Sequence, residues 1–101
     1  MITRDFRYYI TVDDWIDVRF TVDGSTIIKF SVNYTALIKQ KAYSIIRYDN
    51  AHGFTHIDRY WTDQKEDIQG KTNLEIMKIA RTDITQNWKI YRKQVEQILG
   101  I

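Results

Sequence analysis

Over the first two thirds of the chain, apolar and polar residues alternate with a period of two, the spacing of strands that bury one face. Phe6, Tyr8, Ile10 and Val12 fall on one side of a first strand, and Ile16, Val18, Phe20 and Val22 on one side of a second. Asp23-Gly24 follows, a strong hairpin signal because a type I′ turn needs positive φ at both central positions. Thr26, Ile28, Phe30 and Val32 carry the alternation through a third strand, and Tyr34 to Ile38 either continues it or forms a fourth. The polar Lys39-Gln40-Lys41 is a turn, Ala42 to Tyr48 a further strand, and Phe54 to Trp61 the last. Thr62 to Lys71, with Asp63, Lys65, Glu66, Asp67 and Gly70, is expected to be a polar loop.

The period then changes. Thr72-Asn73-Leu74-Glu75 is a capping box, in which the Thr hydroxyl accepts from the backbone N–H three residues on and the Glu side chain reaches back. In the helix that follows, over about residues 73–99, Met77, Ile84, Tyr91 and Ile98 repeat every seven residues, interleaved with Arg81, Trp88 and Val95. With Ala80 and Leu99 they form an apolar stripe that should lie on the sheet. Ile76, Ile79 and Ile90 fall away from that stripe. About 26 helical residues span roughly 39 Å, against ~20 Å for an ordinary strand. Either the helix breaks near Thr82-Asp83, or it overhangs and offers its extra isoleucines to a second subunit or partner. The fold class is therefore α+β: an antiparallel β-meander of five or six strands packed against one long C-terminal helix, in a single domain over residues 1–101.

Composition narrows the chemistry. There is no cysteine, which removes disulfides, thiolate metal sites and cysteine nucleophiles, and there is no proline. No stretch approaches the ~20 apolar residues of a membrane span. Met1 to Phe6 carries charges where a signal peptide needs an apolar run, so the expected location is cytoplasmic. A net charge of +2 tolerates nucleic acid without arguing for it, since no run of five Lys or Arg occurs. Phosphate loops, nucleophile elbows and HExxH motifs are missing as well. Asp13-Asp14 reads as a solvated pair at a turn, and Trp88, Tyr91 and Arg92 as helix core and rim.

One segment holds both histidines of the chain: Arg47-Tyr48-Asp49-Asn50-Ala51-His52-Gly53-Phe54-Thr55-His56-Ile57-Asp58-Arg59-Tyr60. If His52-Gly53 is a two-residue turn, Asp49 faces His56, Arg47 faces Asp58 and Ile45 faces Tyr60, with opposed side chains ~5 Å apart. Ile46, Tyr48 and Ile57 then turn to the core. Such a cluster suits acid–base work on a phosphodiester, because histidine moves a proton near neutral pH and an arginine fork holds phosphate. His56 oriented by Asp49 would be one acid–base group and His52 the other. Arg47 or Arg59 would stabilise the charge, Asp58 would complete the polar set, and Tyr48, Phe54 and Tyr60 would contact bases. Two other readings stay open. Opposite charges across a hairpin stabilise sheets with no chemistry at all, by a few tenths to about 1 kcal/mol, and two histidines with Asp49 or Asp58 could ligate zinc. The leading expectation is metal-free, with no cofactor.

The stretch from Arg47 to Asp58, followed after a polar loop by Asn87-Trp88-Lys89-Ile90-Tyr91-Arg92, resembles a family of small uncharacterised prokaryotic proteins. More loosely it is similar to the TumE-type toxins of toxin–antitoxin pairs, although Gly53-Phe54 follows the first histidine here and no His-Lys-His-like ending occurs. The resemblance implies a core of Arg47, Asp49, His52 and His56, action on RNA or translation, and a small helix-turn-helix antitoxin as partner. The functional expectation is thus a toxin-like, RNA-acting protein, a metal-independent ribonuclease, that forms a homodimer. Its rival is a non-enzymatic interaction module that dimerises or binds a partner protein through its sheet and helix.

Overall fold

In the computed structural model, which describes residues 1–101, six strands run up and down in chain order in one antiparallel sheet. They are β1 (Ile2–Thr11), β2 (Asp14–Asp23), β3 (Thr26–Ile38), β4 (Lys41–Asp49), β5 (Thr55–Arg59) and β6 (Thr62–Ile68); one helix, α1 (Asn73–Ile98), follows. The meander expected from period-two patterning is present, and Tyr34 to Ile38 continues β3. No helix is long and apolar enough to cross a membrane.

Because side chains alternate across a sheet, each strand is sorted into two sets, and α1 covers only one of them. That face holds Ile16 and Val18 from β2, Phe30, Val32, Tyr34, Ala36 and Ile38 from β3, Ile46 and Tyr48 from β4, and Ile57 from β5. Met77, Ala80, Ile84 and Val95 meet them from the helix. Ile76 joins this core at 2% exposure although it lies off the seven-residue stripe, because the i, i+4 spacing sets it beside Ala80 and Ile84 on the buried side of the helix. Ile79, Ile90 and Ile98 stay exposed.

The helix is continuous through Thr82-Asp83, so the break that the sequence allowed there does not occur. β3 has 13 residues, about 40 Å at 3.3 Å each, so helix and strand match in length. Both ends are tied down. Thr72 forms the capping box with Glu75, and Asn73 Nδ2 donates to the Ile27 carbonyl at 2.6 Å. Near the other end Arg92 donates to Asp14 Oδ1 at 2.8 Å and to the Leu37 carbonyl at 3.1 Å.

Several local expectations are corrected. Asp14 is not solvated: it is 3% exposed and also accepts from Thr11 and from the Tyr34 hydroxyl, each at 2.6 Å. A register shift between Thr21 and Val22 turns Ile27, rather than Ile28, towards the core. The β2–β3 turn centres on Gly24-Ser25, with positive φ at Gly24 only. The type I′ signature falls instead on Lys39 and Gln40, at φ 49° and 67° between the paired Ile38 and Lys41. Residues 62–68, expected as loop, form edge strand β6, whose side chains lie almost wholly in solvent.

These contacts make two measurable claims. Left-handed backbone is unfavourable for a residue with a Cβ, so Gln40→Gly should raise stability by roughly 0.5–1 kcal/mol in urea unfolding, net of the added freedom of the unfolded chain. Burial alone raises the Asp14 pKa, but Thr11, Tyr34 and Arg92 outweigh it and hold the carboxyl below its usual 3.8. A depressed pKa stabilises the fold above the unfolded value, and that contribution is lost as pH falls through the folded one. Asp14→Asn should therefore be less stable by about 2–3 kcal/mol at pH 7, with a gap to wild type that narrows below pH ~4.

Candidate nucleic-acid interface on the open sheet face

The face of the sheet away from α1 is polar, and strand register arranges it in rows. One row runs Asp5, Arg19, Ser31, Asp49, His56, Asp67 across all six strands. The next runs Arg7, Asp17, Asn33, Arg47, Asp58. Small Ser31 in the central strand, between Arg19 and Asp49, leaves room for a cavity of about 490 Å³. Arg19, Lys29, Arg47 and Lys65 bring four cations to it, against two carboxylates, Asp49 and Asp58, and both histidines open on it.

The registers Asp49–His56 and Arg47–Asp58 are those expected from the sequence. The connection is longer than a two-residue turn, spanning Asn50 to Phe54, with Gly53 donating to the Asn50 carbonyl at 3.1 Å. Gly53 has φ 89°, a conformation that disfavours a side chain. Asn50 anchors the loop by accepting from the Phe30 N–H at 2.9 Å and donating to the Ile28 carbonyl at 3.2 Å. The loop lifts His52 over His56, the ring centroids 5.7 Å apart and the planes 17° from parallel. Phe54 meets His56 edge-on at 5.6 Å.

Asp49 is the hub of the cluster. At 6% exposure it accepts from the Ala51 N–H at 3.0 Å, lies 3.4 Å from His56 Nε2 and pairs with Arg47 Nε at 2.9 Å. Arg47 Nη2 reaches Asp58 at 3.3 Å, which leaves Nη1 out of both carboxylate contacts. Lys65 lies 3.2 Å from the other oxygen of Asp58. His56 is buried, so access to the imidazole pair is through the exposed His52 and the cavity.

Three of the residues expected here stand elsewhere. Tyr48 alternates with Arg47 and Asp49, so it points into the core, where its hydroxyl donates to Asp83 Oδ2 at 2.6 Å. Arg59 shares the face of Ile57 and pairs with Glu66 at 3.3 Å. Tyr60 packs edge-on against Tyr43 outside the cavity. Conversely, Arg19, Lys29 and Lys65 belong to the cavity although no motif singles them out. Arg19 and Lys29 lie on strands whose apolar alternation draws the eye to the opposite face, and Lys65 lies on a strand that itself lacks a buried face.

Asp49, His56 and Asp58 place one potential ligand atom each within 4.8 Å of the others. A divalent cation there would have to displace Arg47 and Lys65 from the two carboxylates, and Coulomb repulsion from those cations opposes it. The same cations set the state of Asp58: burial raises its pKa, but Lys65 and then Arg47 prevail and hold it below the usual carboxylate range. Lys65→Met should shift the Asp58 titration upward in carboxyl NMR while the fold is retained, since Lys65 is 59% exposed.

No curated protein and no solved structure matches the chain. The model of the domain of unknown function DUF7718 matches residues 1–100, and the chain belongs to that family.

Proposed function

We propose that this protein is a toxin-like, RNA-acting protein that holds a phosphodiester on the open sheet face and cleaves it without a metal. The observation that carries the reading is the stacked pair His52 and His56, opening with Asp49 and Arg47 on one cation-rich cavity. Four cations against two carboxylates favour a polyanion over a neutral ligand. Phe54, exposed and edge-on to His56 although it does not line the cavity, offers a ring on which a base could stack.

Cleavage in this reading follows general acid–base catalysis. One imidazole takes the proton of the ribose 2′-hydroxyl, the 2′-oxygen forms a bond to phosphorus as the 5′-oxygen leaves, and the other imidazole, as imidazolium, protonates the departing oxygen. Asp49 orients His56, and the Arg47 guanidinium offsets the charge that develops on the phosphoryl oxygens. The loose resemblance of the segment that carries Arg47, Asp49, His52 and His56 to TumE-type toxins suits the same assignment and implies a small antitoxin as protein partner.

The test is a mixed RNA pool incubated with purified protein, with and without EDTA. Cleavage unaffected by EDTA and reduced by about 10²-fold or more in His52→Ala and in His56→Ala is the expected result. Asp49→Asn should lower the rate less, because it misorients His56 rather than removing it. Equal, clean backgrounds in wild type and variants would exclude catalysis and favour the non-enzymatic interaction module.

A further inference from the structure

We infer that the open edge of β1 is a self-association surface, on which a second copy of this chain pairs antiparallel about Phe6 to continue the sheet across a two-fold axis. β1 is an edge strand of ten residues, nine of them exposed, so one side of its backbone has no strand partner. Such an edge is a template for further pairing unless something blocks it. β1 has no proline, and its one register shift lies at its far end, between Tyr9 and Thr11. Apart from Arg4, its helix-side face is apolar and incompletely covered: Ile2, Phe6 and Tyr8 are 58%, 43% and 40% exposed.

The identity of the occupant comes from charge. A two-fold axis normal to the sheet pairs residues of like parity, so each permitted register centres on a single residue. Centring on Asp5 opposes two carboxylates, and centring on Arg4 or Arg7 opposes two guanidinium groups. Centring on Tyr8 pairs Arg7 with Tyr9 and leaves the charges unmatched. Centring on Phe6 pairs Asp5 with Arg7 of the second copy twice over, Arg4 with Tyr8, and Ile2 with Ile10. This register also overlaps almost the whole strand. Asp5 already lies 3.6 Å from Arg19, and Arg7 2.8 Å from Asp17. Pairing therefore extends each ion pair into an alternating line, Arg19, Asp5, then Arg7 and Asp17 of the second copy. β6, the opposite edge, has no such match: it is shorter, and its Asp63, Lys65, Glu66 and Asp67 guard it.

The decisive experiment uses two single charge variants. Asp5→Arg leaves only positive charge at the central positions, and Arg7→Asp leaves only negative charge. Each should weaken self-association by about ten-fold or more in sedimentation equilibrium, since two attractive cross-strand pairs become repulsive. Mixed one to one, they should recover a dimer, because the two guanidinium groups of the first variant then face the two carboxylates of the second. Circular dichroism of each variant separates loss of association from loss of fold. The register is checked on the cysteine-free chain: Phe6→Cys should cross-link to itself on oxidation, its Cα atoms lying ~4.5–5.5 Å apart, whereas Tyr9→Cys should not. A wild-type monomer at all concentrations overturns the proposal. So does a dimer that survives in both variants, a mixture that fails to associate, or cross-linking at Tyr9→Cys in place of Phe6→Cys.

Discussion

The structure depends on one constraint: a single helix covers a single face of a six-stranded sheet. Period-two alternation divides the side chains between a face that excludes water and a face that meets it. The division is seen in β4 beyond the irregularity at Ile45, where Ile46 and Tyr48 are buried under α1 while Arg47 and Asp49 are delivered to the other side. A shift of one residue in register would exchange the two sets, placing two charges beneath the helix and two apolar groups in the cavity. The core and the candidate site are thus specified by the same alternation, read on opposite surfaces.

What fixes that register also steadies the site. Tyr48 is flanked in sequence by Arg47 and Asp49, and its hydroxyl is held by Asp83 of α1. Asp83 also accepts from Tyr91 and from Asn87, so the acceptor is itself locked in place. Burial and the bond to Asp83 both raise the Tyr48 pKa, which keeps the phenol a neutral donor at physiological pH. At the far end of the helix, Asp14 and Arg92 bind α1 to β2 and β3. Rigid elements hold a constellation more tightly than loops do, and here only His52 and its neighbours are carried on a loop. That loop is in turn pinned by Asn50 to the β3 backbone.

Sequence patterning shows the fold well wherever an apolar face is buried, and fails where burial and pattern part company. β6 is the clearest case: it pairs with β5 at the sheet edge and only Ile68 at its end packs against the core, so little selects for alternation in Thr62 to Ile68. Asp14 is obscured by its neighbour. Asp13 is exposed, whereas Asp14, one residue on, turns inward to meet Tyr34 and an arginine 78 positions away. The Asp49–His56 and Arg47–Asp58 registers are legible because the longer Asn50–Phe54 connection is centred near the expected His52-Gly53 turn and so keeps the same pairing. Arg59 and Tyr48 are misplaced by any reading that weighs proximity in sequence above parity. The cations Arg19 and Lys29 are illegible, since their place on the same cavity as His56 depends on the order of strands in space.

The charges of the open face explain why it stays open. Across neighbouring strands opposite signs face one another: Asp5 with Arg19, Arg7 with Asp17, and Arg47 with Asp58. Exposed pairs of this kind add little stability each, yet they keep the uncovered side hydrated and discourage a second apolar layer. Near the histidines the balance changes, because Arg19, Lys29 and Lys65 converge with Arg47 on a cavity that holds only two carboxylates. The gathering of cations beside a buried carboxylate and two stacked imidazoles sets this part of the face apart from the rest, and the proposed phosphodiester site rests on that juxtaposition.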